Sequence, residues 1–204
     1  MRVFRDLEEL PEFKNAIITI GSFDGVHSGH QKIIQRLNVL ADEFDSESVV
    51  ISFYPHPRSV IYPKDKSLKL LSSLEEKIAL FESLEVDNLV IVPFTIEFSQ
   101  QSAQEYLEKF LIEKFNPRYI VIGYDHRFGM NRVGDLDMLM QQKDRFGYDV
   151  IQIPKQEIDE ITISSTKIRN ALLSGDLSTA NTLLNHPYEL SGNCLLYTSD
   201  AADD

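Results

Sequence analysis

Five short runs of β-branched and aliphatic residues punctuate the chain: AIITI (16–20), SVVISF (48–53), NLVIVPF (88–94), RYIVIG (118–123) and YDVIQI (148–153). Each run is continuous rather than alternating, the pattern of a strand covered on both faces in a parallel sheet. Between them apolar residues recur at helical spacing. One stripe is Ile33, Ile34, Leu37, Leu40 and Ala41; a second is Ile78, Leu80, Phe81 and Leu84; a third is Tyr106, Leu107, Phe110 and Leu111. Two of these helices open on a hydroxyl followed three residues later by a carboxylate, within SSLEE (72–76) and SAQE (102–105), so side chains satisfy the orphan amides of the first turn. Strand and helix in alternation imply right-handed crossovers, and so an α/β, Rossmann-like, doubly wound parallel sheet.

Ligands bind such sheets beyond the carboxyl ends of the strands. Three loops therefore matter: 21–30, the Pro-rich YPHPRSVIYP at 54–63, which reads as an ordered loop, and 123–135. The length of 204 residues accommodates one ordinary domain. A composition of 43% hydrophobic and 25% charged residues is that of a soluble globular protein. No apolar run approaches the roughly 18 residues of a membrane span, and the opening MRVFRDLEELPEF is too acidic for a signal peptide. The expected location is cytoplasmic, with no membrane partner. The single cysteine, Cys194, can form no intramolecular disulfide and no thiolate metal site. A net charge of -12 argues against nucleic-acid binding, which needs clustered Lys and Arg, but leaves room for one cationic pocket that takes a small anion.

The densest chemistry follows the first strand, in GSFDGVHSGHQKII (21–34). Gly21 and Gly25 let backbone approach a ligand with no Cβ in the way, while Gly29 sits in the first helical turn, where it weakens the helix. A helix start offers free amides and the positive end of the dipole, which suits an anion. His27 and His30, three apart, project from one face of that turn, and protonated imidazoles beside a phosphate would form charge-assisted hydrogen bonds. Zinc fits less well, since no third ligand is near. Asp24 reads as a turn residue satisfying local amides, and Phe23 as packing.

A second helix start lies in ITISSTKIRNAL (161–172), where Ser164, Ser165 and Thr166 precede a stripe of Ile168 and Leu172, with Arg169 about one turn in. A plain N-cap uses the same residues. Between the two helix starts, VIGYDHRFGMNRVGD (121–135) packs three glycines, Tyr124 and Phe128 into one loop. That composition suits either a mobile connection or a wrap around a planar ligand.

Four motifs in this order, GSFDGVHSGH (21–30), YPHP (54–57), GYDHRFGMNRVGD (123–135) and ISSTKIR (163–169), resemble the FMN adenylyltransferase module of bacterial FAD synthetases, which is usually fused to a C-terminal riboflavin kinase. The resemblance covers residues 17 to 173. It implies a nucleotidyltransferase of the H-x-G-H type that converts ATP and FMN to FAD and pyrophosphate, with Mg²⁺ accompanying ATP. Carried over by position, His27, His30 and Arg169 would be catalytic. The ATP phosphates would be held by those three with Ser165 and Thr166, while Gly21, Ser22, Phe23 and Gly25 would lie along the nucleotide. Asp125, Phe128 and Arg132 would line the flavin side. The metal ligands are not assigned. One departure from the family pattern is His126, where Phe is more frequent.

The same resemblance divides the chain into an FMN adenylyltransferase domain at 1–184, a truncated junction to a missing riboflavin kinase domain at 185–193, and a tail at 194–204. The tail, CLLYTSDAADD, resembles a translated sequencing-adapter end and is expected to be non-native; kinase activity is expected to be absent. Two other functions share the cradle: nucleotidyl transfer to another phosphate acceptor, such as phosphopantetheine or nicotinamide mononucleotide, and a non-catalytic flavin-nucleotide sensor.

Overall fold

Six parallel strands form one sheet in a computed structural model that describes residues 1–155 and 163–192. They are β1 (Arg2–Phe4), β2 (Ile17–Ile20), β3 (Ser48–Tyr54), β4 (Asn88–Pro93), β5 (Tyr119–Gly123) and β6 (Asp149–Ile153), in the order β1-β4-β3-β2-β5-β6. The expected tail at 194–204, with Cys194, lies outside the described residues, as do Ile161 and Thr162 of the second helix-start motif.

The continuous apolar runs are explained by what covers each face. Ile18, Ile20, Val49, Ile51, Ile120 and Ile122 share one core with Tyr106, Leu107, Phe110 and Leu111. Their neighbours Ile17, Val50, Leu89, Ile91 and Val121 share the other with Ile34, Leu37 and Phe81. Because successive strand side chains point to opposite faces, both sets must be apolar when both faces are covered.

The helix α1 (Ser28–Glu43) follows β2, and α2 (Pro57–Ile61) and α3 (Leu74–Ser83) lie between β3 and β4. The loop read at 54–63 thus holds one short helix, started by His56 as N-cap and by Pro57, whose fixed φ suits a first helical position. After β4 come α4 (Ile96–Ser99) and α5 (Ala103–Glu105), which continues through a π-helical stretch (Tyr106–Ile112) into α6 (Glu113–Phe115). Then β5 leads to α7 (Leu136–Phe146), and beyond β6 lie α8 (Ser165–Leu173) and α9 (Leu177–Leu184). Both capping boxes form, Ser73 with Glu76 and Ser102 with Glu105. Ile168, Ala171, Ala180, Leu183 and Leu184 of α8 and α9 close over Leu71 in a third, smaller core. No helix among the described residues is long and apolar enough to cross a membrane.

The sixth strand, β1, escapes the sequence pattern because three residues carry no periodicity. It is fixed by pairing, Arg2 to Asn88 through Phe4 to Val90, and by a 2.8 Å hydrogen bond from Arg2 Nε to Asn88 Oδ1. The central pair β2 and β5 are adjacent in the sheet but lead to opposite faces, β2 to α1 in one core and β5 to Leu139 of α7 in the other. Their carboxyl ends therefore open the crevice where such folds bind ligands, between residues 21–27 and 123–135.

Candidate active site

The loop leaving β2 is wound tightly. Phe23, Gly25 and Val26 all take positive φ (48°, 76° and 38°), a strained choice for the aromatic and β-branched residues. Contacts from distant segments hold it there. Gly25 N–H donates to Ser72 Oγ (3.2 Å), Asp24 Oδ1 accepts from Leu71 N–H (2.9 Å), and Gln31 Nε2 donates to the carbonyls of Val26 and Leu184 (2.9 Å each). At Gly25 a Cβ would come within 2.9 Å of the Leu71 side chain, so close packing as well as φ requires glycine.

His27 then caps α1. Its Nδ1 accepts from the His30 backbone N–H at 3.4 Å, which leaves the proton of the neutral ring on Nε2. The two imidazoles stack with centroids 3.6 Å apart and planes 16° from parallel. His30 is partly exposed, yet its Nδ1 is buried and has no hydrogen-bond partner among the described residues. The ring also meets the edge of Phe23 at 5.2 Å, and Phe23 meets Phe81 of α3 at 5.6 Å.

Protonated imidazoles are expected beside a bound phosphate, whose charge would hold the proton on; in the free protein burial acts the other way. Burial pushes His27 down to about 4, with the Arg169 charge adding to the shift and a backbone hydrogen bond partly offsetting it. His30 is held well below the ordinary histidine range by burial, then by His27 and Lys77. Desolvation penalises the imidazolium, and Asp24, in the same turn, is already paired with Arg169. The pair is neutral at pH 7.

The second helix start converges on the first. Ser164 is the N-cap of α8, accepting from Lys167 N–H at 3.3 Å. Ser165 Oγ donates to the Asp24 carbonyl at 3.3 Å, and the Arg169 guanidinium pairs with Asp24 Oδ2, the two side chains being 17% and 4% exposed. Arg169 Nε also donates to the Lys69 carbonyl. Thr166 is exposed on the first turn. Asp24 is thus no local turn residue. The amide it satisfies lies 47 residues along the chain and its cation 145 residues along.

The flavin-side loop is ordered, not a loose connection. Phe128 and Gly134 form an antiparallel bridge, and a Cβ at Gly134 would come within 2.5 Å of the Phe128 ring. Gly129, at φ 71°, runs against the Ala103 backbone. Phe128 itself is 5% exposed and packs on Tyr106 at 5.3 Å, so it anchors the loop in the core instead of lining a ligand surface as expected. Asp125 and Arg132 are exposed on that loop. His126 is half-buried, 5.9 Å from Phe128, and is pushed down to about 4 by burial and then by Arg132.

Sequence reasoning missed Lys77. It is buried on α3 and donates to the Ser22 carbonyl at 2.8 Å; burial lowers its pKa while Asp24 opposes the shift. The signal was a lysine on the buried stripe of a helix, between Leu74 and Phe81. Among the described residues no group of three or more His, Cys, Asp or Glu is placed to hold a metal ion.

The family model described as FAD synthetase matches residues 10–167. A bifunctional riboflavin kinase/FMN adenylyltransferase of Buchnera aphidicola subsp. Schizaphis graminum is 34% identical over 197 residues, 96% of this chain and 63% of that protein. The protein of the same description from Escherichia coli (strain K12) is 31% identical over 192 residues, 94% of this chain and 61% of the relative. The chain spans about 60% of the length of the curated relatives it matches. A crystal structure described as a macrolide-efflux protein from Streptococcus pneumoniae superposes with a TM-score of 0.79 at 29% identity, covering 91% of this chain and 60% of that one.

Proposed function

The chain belongs to the FAD synthetase family, and from that premise we propose that it transfers the adenylyl group of ATP to FMN, giving FAD and pyrophosphate. The observation that carries the proposal is the contact of Ser165 and Arg169 with Asp24, which brings two helix starts from opposite ends of the chain to one place. A helix start offers amides and a positive dipole end, and two of them brought together suit a polyphosphate.

In the reaction an FMN phosphate oxygen attacks the α-phosphorus of ATP in line, the new P–O bond forms as the bond to the β-phosphate breaks, and pyrophosphate leaves. No protein nucleophile is required, so positioning and charge stabilisation must supply the rate. His27, neutral with its proton on Nε2, is suited to donate to a phosphate oxygen without first acquiring a proton. His30 stacks beside it. A bound triphosphate favours the imidazolium, so protonation can follow binding. Arg169 supplies a guanidinium, and Asp24 fixes where that charge points. Asp125 and Arg132 would meet FMN from a loop whose shape is set by Phe128 and Gly134.

Both oxygens of Asp24 are engaged, by Leu71 N–H and by Arg169, and the described residues form no carboxylate cage. Mg²⁺ commonly binds through substrate phosphates and its own waters. It therefore fits here as part of the substrate, MgATP, with no residue of this chain assigned to it.

The test is incubation of the chain with ATP, Mg²⁺ and FMN while FAD and pyrophosphate are followed. FAD and pyrophosphate should appear in equal amounts, and His30→Ala should lower turnover roughly 100-fold with the fold intact. Product formed only with phosphopantetheine or nicotinamide mononucleotide would select another acceptor. Binding of ATP and FMN with no product would leave a sensor.

A further inference from the structure

Lys77, 6% exposed, is the only lysine or arginine buried to this extent among the described residues. It shares one face of α3 with Leu74 and Phe81, three residues before it and four after, where an aliphatic side chain would pack without desolvating a charge. That face meets the strained loop at two consecutive residues. Lys77 Nζ takes the Ser22 carbonyl at 2.8 Å, and the Phe81 ring takes the edge of Phe23, which at φ 48° passes directly to His30. An ammonium has three donors, and the Ser22 carbonyl is its one hydrogen-bond partner among the described residues. The carboxylate it faces, Asp24, is already held by Arg169 and by the Leu71 amide.

We propose that Lys77 is a positioning residue for adenylyl transfer: it pins the Ser22 carbonyl so that left-handed Phe23 supports His30, and it sets a fixed positive charge behind the histidine pair. The inference rests on the adenylyl-transfer reading. The charges around the site can be followed element by element. His30 is faced by His27 at the start of α1 and by Lys77 of α3, and His27 by Arg169 of α8. His56, the N-cap of α2, is faced by Asp24, Lys77, Arg169 and Arg58. With the histidines neutral, Lys77 and Arg169 stand against one carboxylate, Asp24, among these facing groups of the described residues, and the surplus positive charge is what a triphosphate would neutralise.

The experiment uses the full chain with Lys77→Met and Lys77→Arg. Circular dichroism checks folding, proton NMR follows the His30 ring of the free protein from neutral pH down to about pH 5, and kcat and KM for ATP and FMN are measured across pH. In the parent the His30 signals should stay flat over that range. In Lys77→Met any response should move upward and show first at the acid end of the range, because a repelling cation is gone while burial, the larger cause, remains, and kcat should fall roughly 10- to 100-fold with KM for FMN unchanged. Lys77→Arg should restore the flat His30 response and most of the rate. A Lys77→Met protein that melts earlier but keeps both its rate and its flat His30 response would make the lysine merely structural and overturn the proposal. If Lys77→Met does not fold, Lys77→Arg decides: a rate within a few-fold of the parent supports a need for positive charge, and a folded but slow Lys77→Arg with His30 still flat overturns it. A parent that makes no FAD defeats the functional reading instead, while the His30 titration, which needs no substrate, still reports on Lys77.

Discussion

Acid should weaken this fold before most of its carboxylates titrate, and His27 is where the loss can be measured. The folded protein holds His27 at about 4, against an ordinary value of 6.5. On acidification the unfolded chain takes up the proton first, so the stability tied to a neutral His27 is complete above about pH 6.5 and drains away as pH falls toward 4. At about pH 5 the unfolded histidine is some thirtyfold biased toward its protonated form and the folded one scarcely at all, which amounts to about 2 kcal/mol. His27→Asn removes the titration but keeps a side-chain oxygen that caps α1, since Asn is among the preferred N-cap residues. Relief of self-repulsion in a chain of charge -12 acts in the opposite direction, but it is nearly the same in both proteins and cancels in the difference. His126, also held at about 4, cancels likewise. His30 does not cancel fully: without its neighbour it is less depressed, which flattens the variant's response further. Asp65, held at about 2, titrates below the window. Urea unfolding at about pH 7.5 and about pH 5, with m-values compared to check two-state behaviour, should show the parent losing about 2 kcal/mol more than His27→Asn. Equal losses would mean that His27 ionises freely in the folded state, and the buried, stacked pair would be refuted.

Asp24→Asn should destabilise by about 3 kcal/mol in urea titration, because it strands Arg169 without its carboxylate, and the double change with Arg169→Met should recover part of that loss. Gly134→Ala drives a Cβ into the Phe128 ring and should cost about 1 to 3 kcal/mol by thermal unfolding, raising KM for FMN more than KM for ATP. Gln31→Ala leaves the Val26 and Leu184 carbonyls and Asn185 without their partner, and should lower stability by about 2 kcal/mol and slow FAD formation, read by denaturation and by turnover.

The sheet was legible because burial on both faces writes itself into continuous runs such as SVVISF, and the capping boxes because their chemistry is local. The helix start at the histidine turn was legible for the same reason, while the His27 cap and the imidazole stack were not legible from the spacing. What could not be read were relations across long sequence separations. Asp24 looks like any turn aspartate until Leu71 and Arg169 are brought to it, and Phe128 looks like an exposed loop aromatic until Tyr106 is beneath it. The low pKa of the histidines in the free protein was not legible, because motif spacing carries no information about desolvation. Lys77 was hidden by its type, since a lysine among apolar positions normally reads as the polar edge of a stripe, and only the 2.8 Å contact with Ser22 shows that it points inward.

On the adenylyl-transfer reading an acidic protein must separate its local field from its total charge to take a triphosphate, and the distribution of burial does this. The exposed ion pairs, such as Lys14 with Asp45 and Lys109 with Glu105, face water, where a Debye length of roughly 8 Å at physiological salt confines their reach. Lys77 and Arg169 are buried or nearly so, and their charges are screened far less. Asp24 holds Arg169 in place and the Ser22 carbonyl holds Lys77, so the two cations are fixed by different partners. The neutral histidines follow first from burial, with the charges of Arg169 beside His27 and of Lys77 beside His30 adding to it. On the same reading triphosphate binding and protonation are coupled, so the proton dependence of ATP affinity should be smaller in His27→Asn than in the parent, read by titration calorimetry across pH.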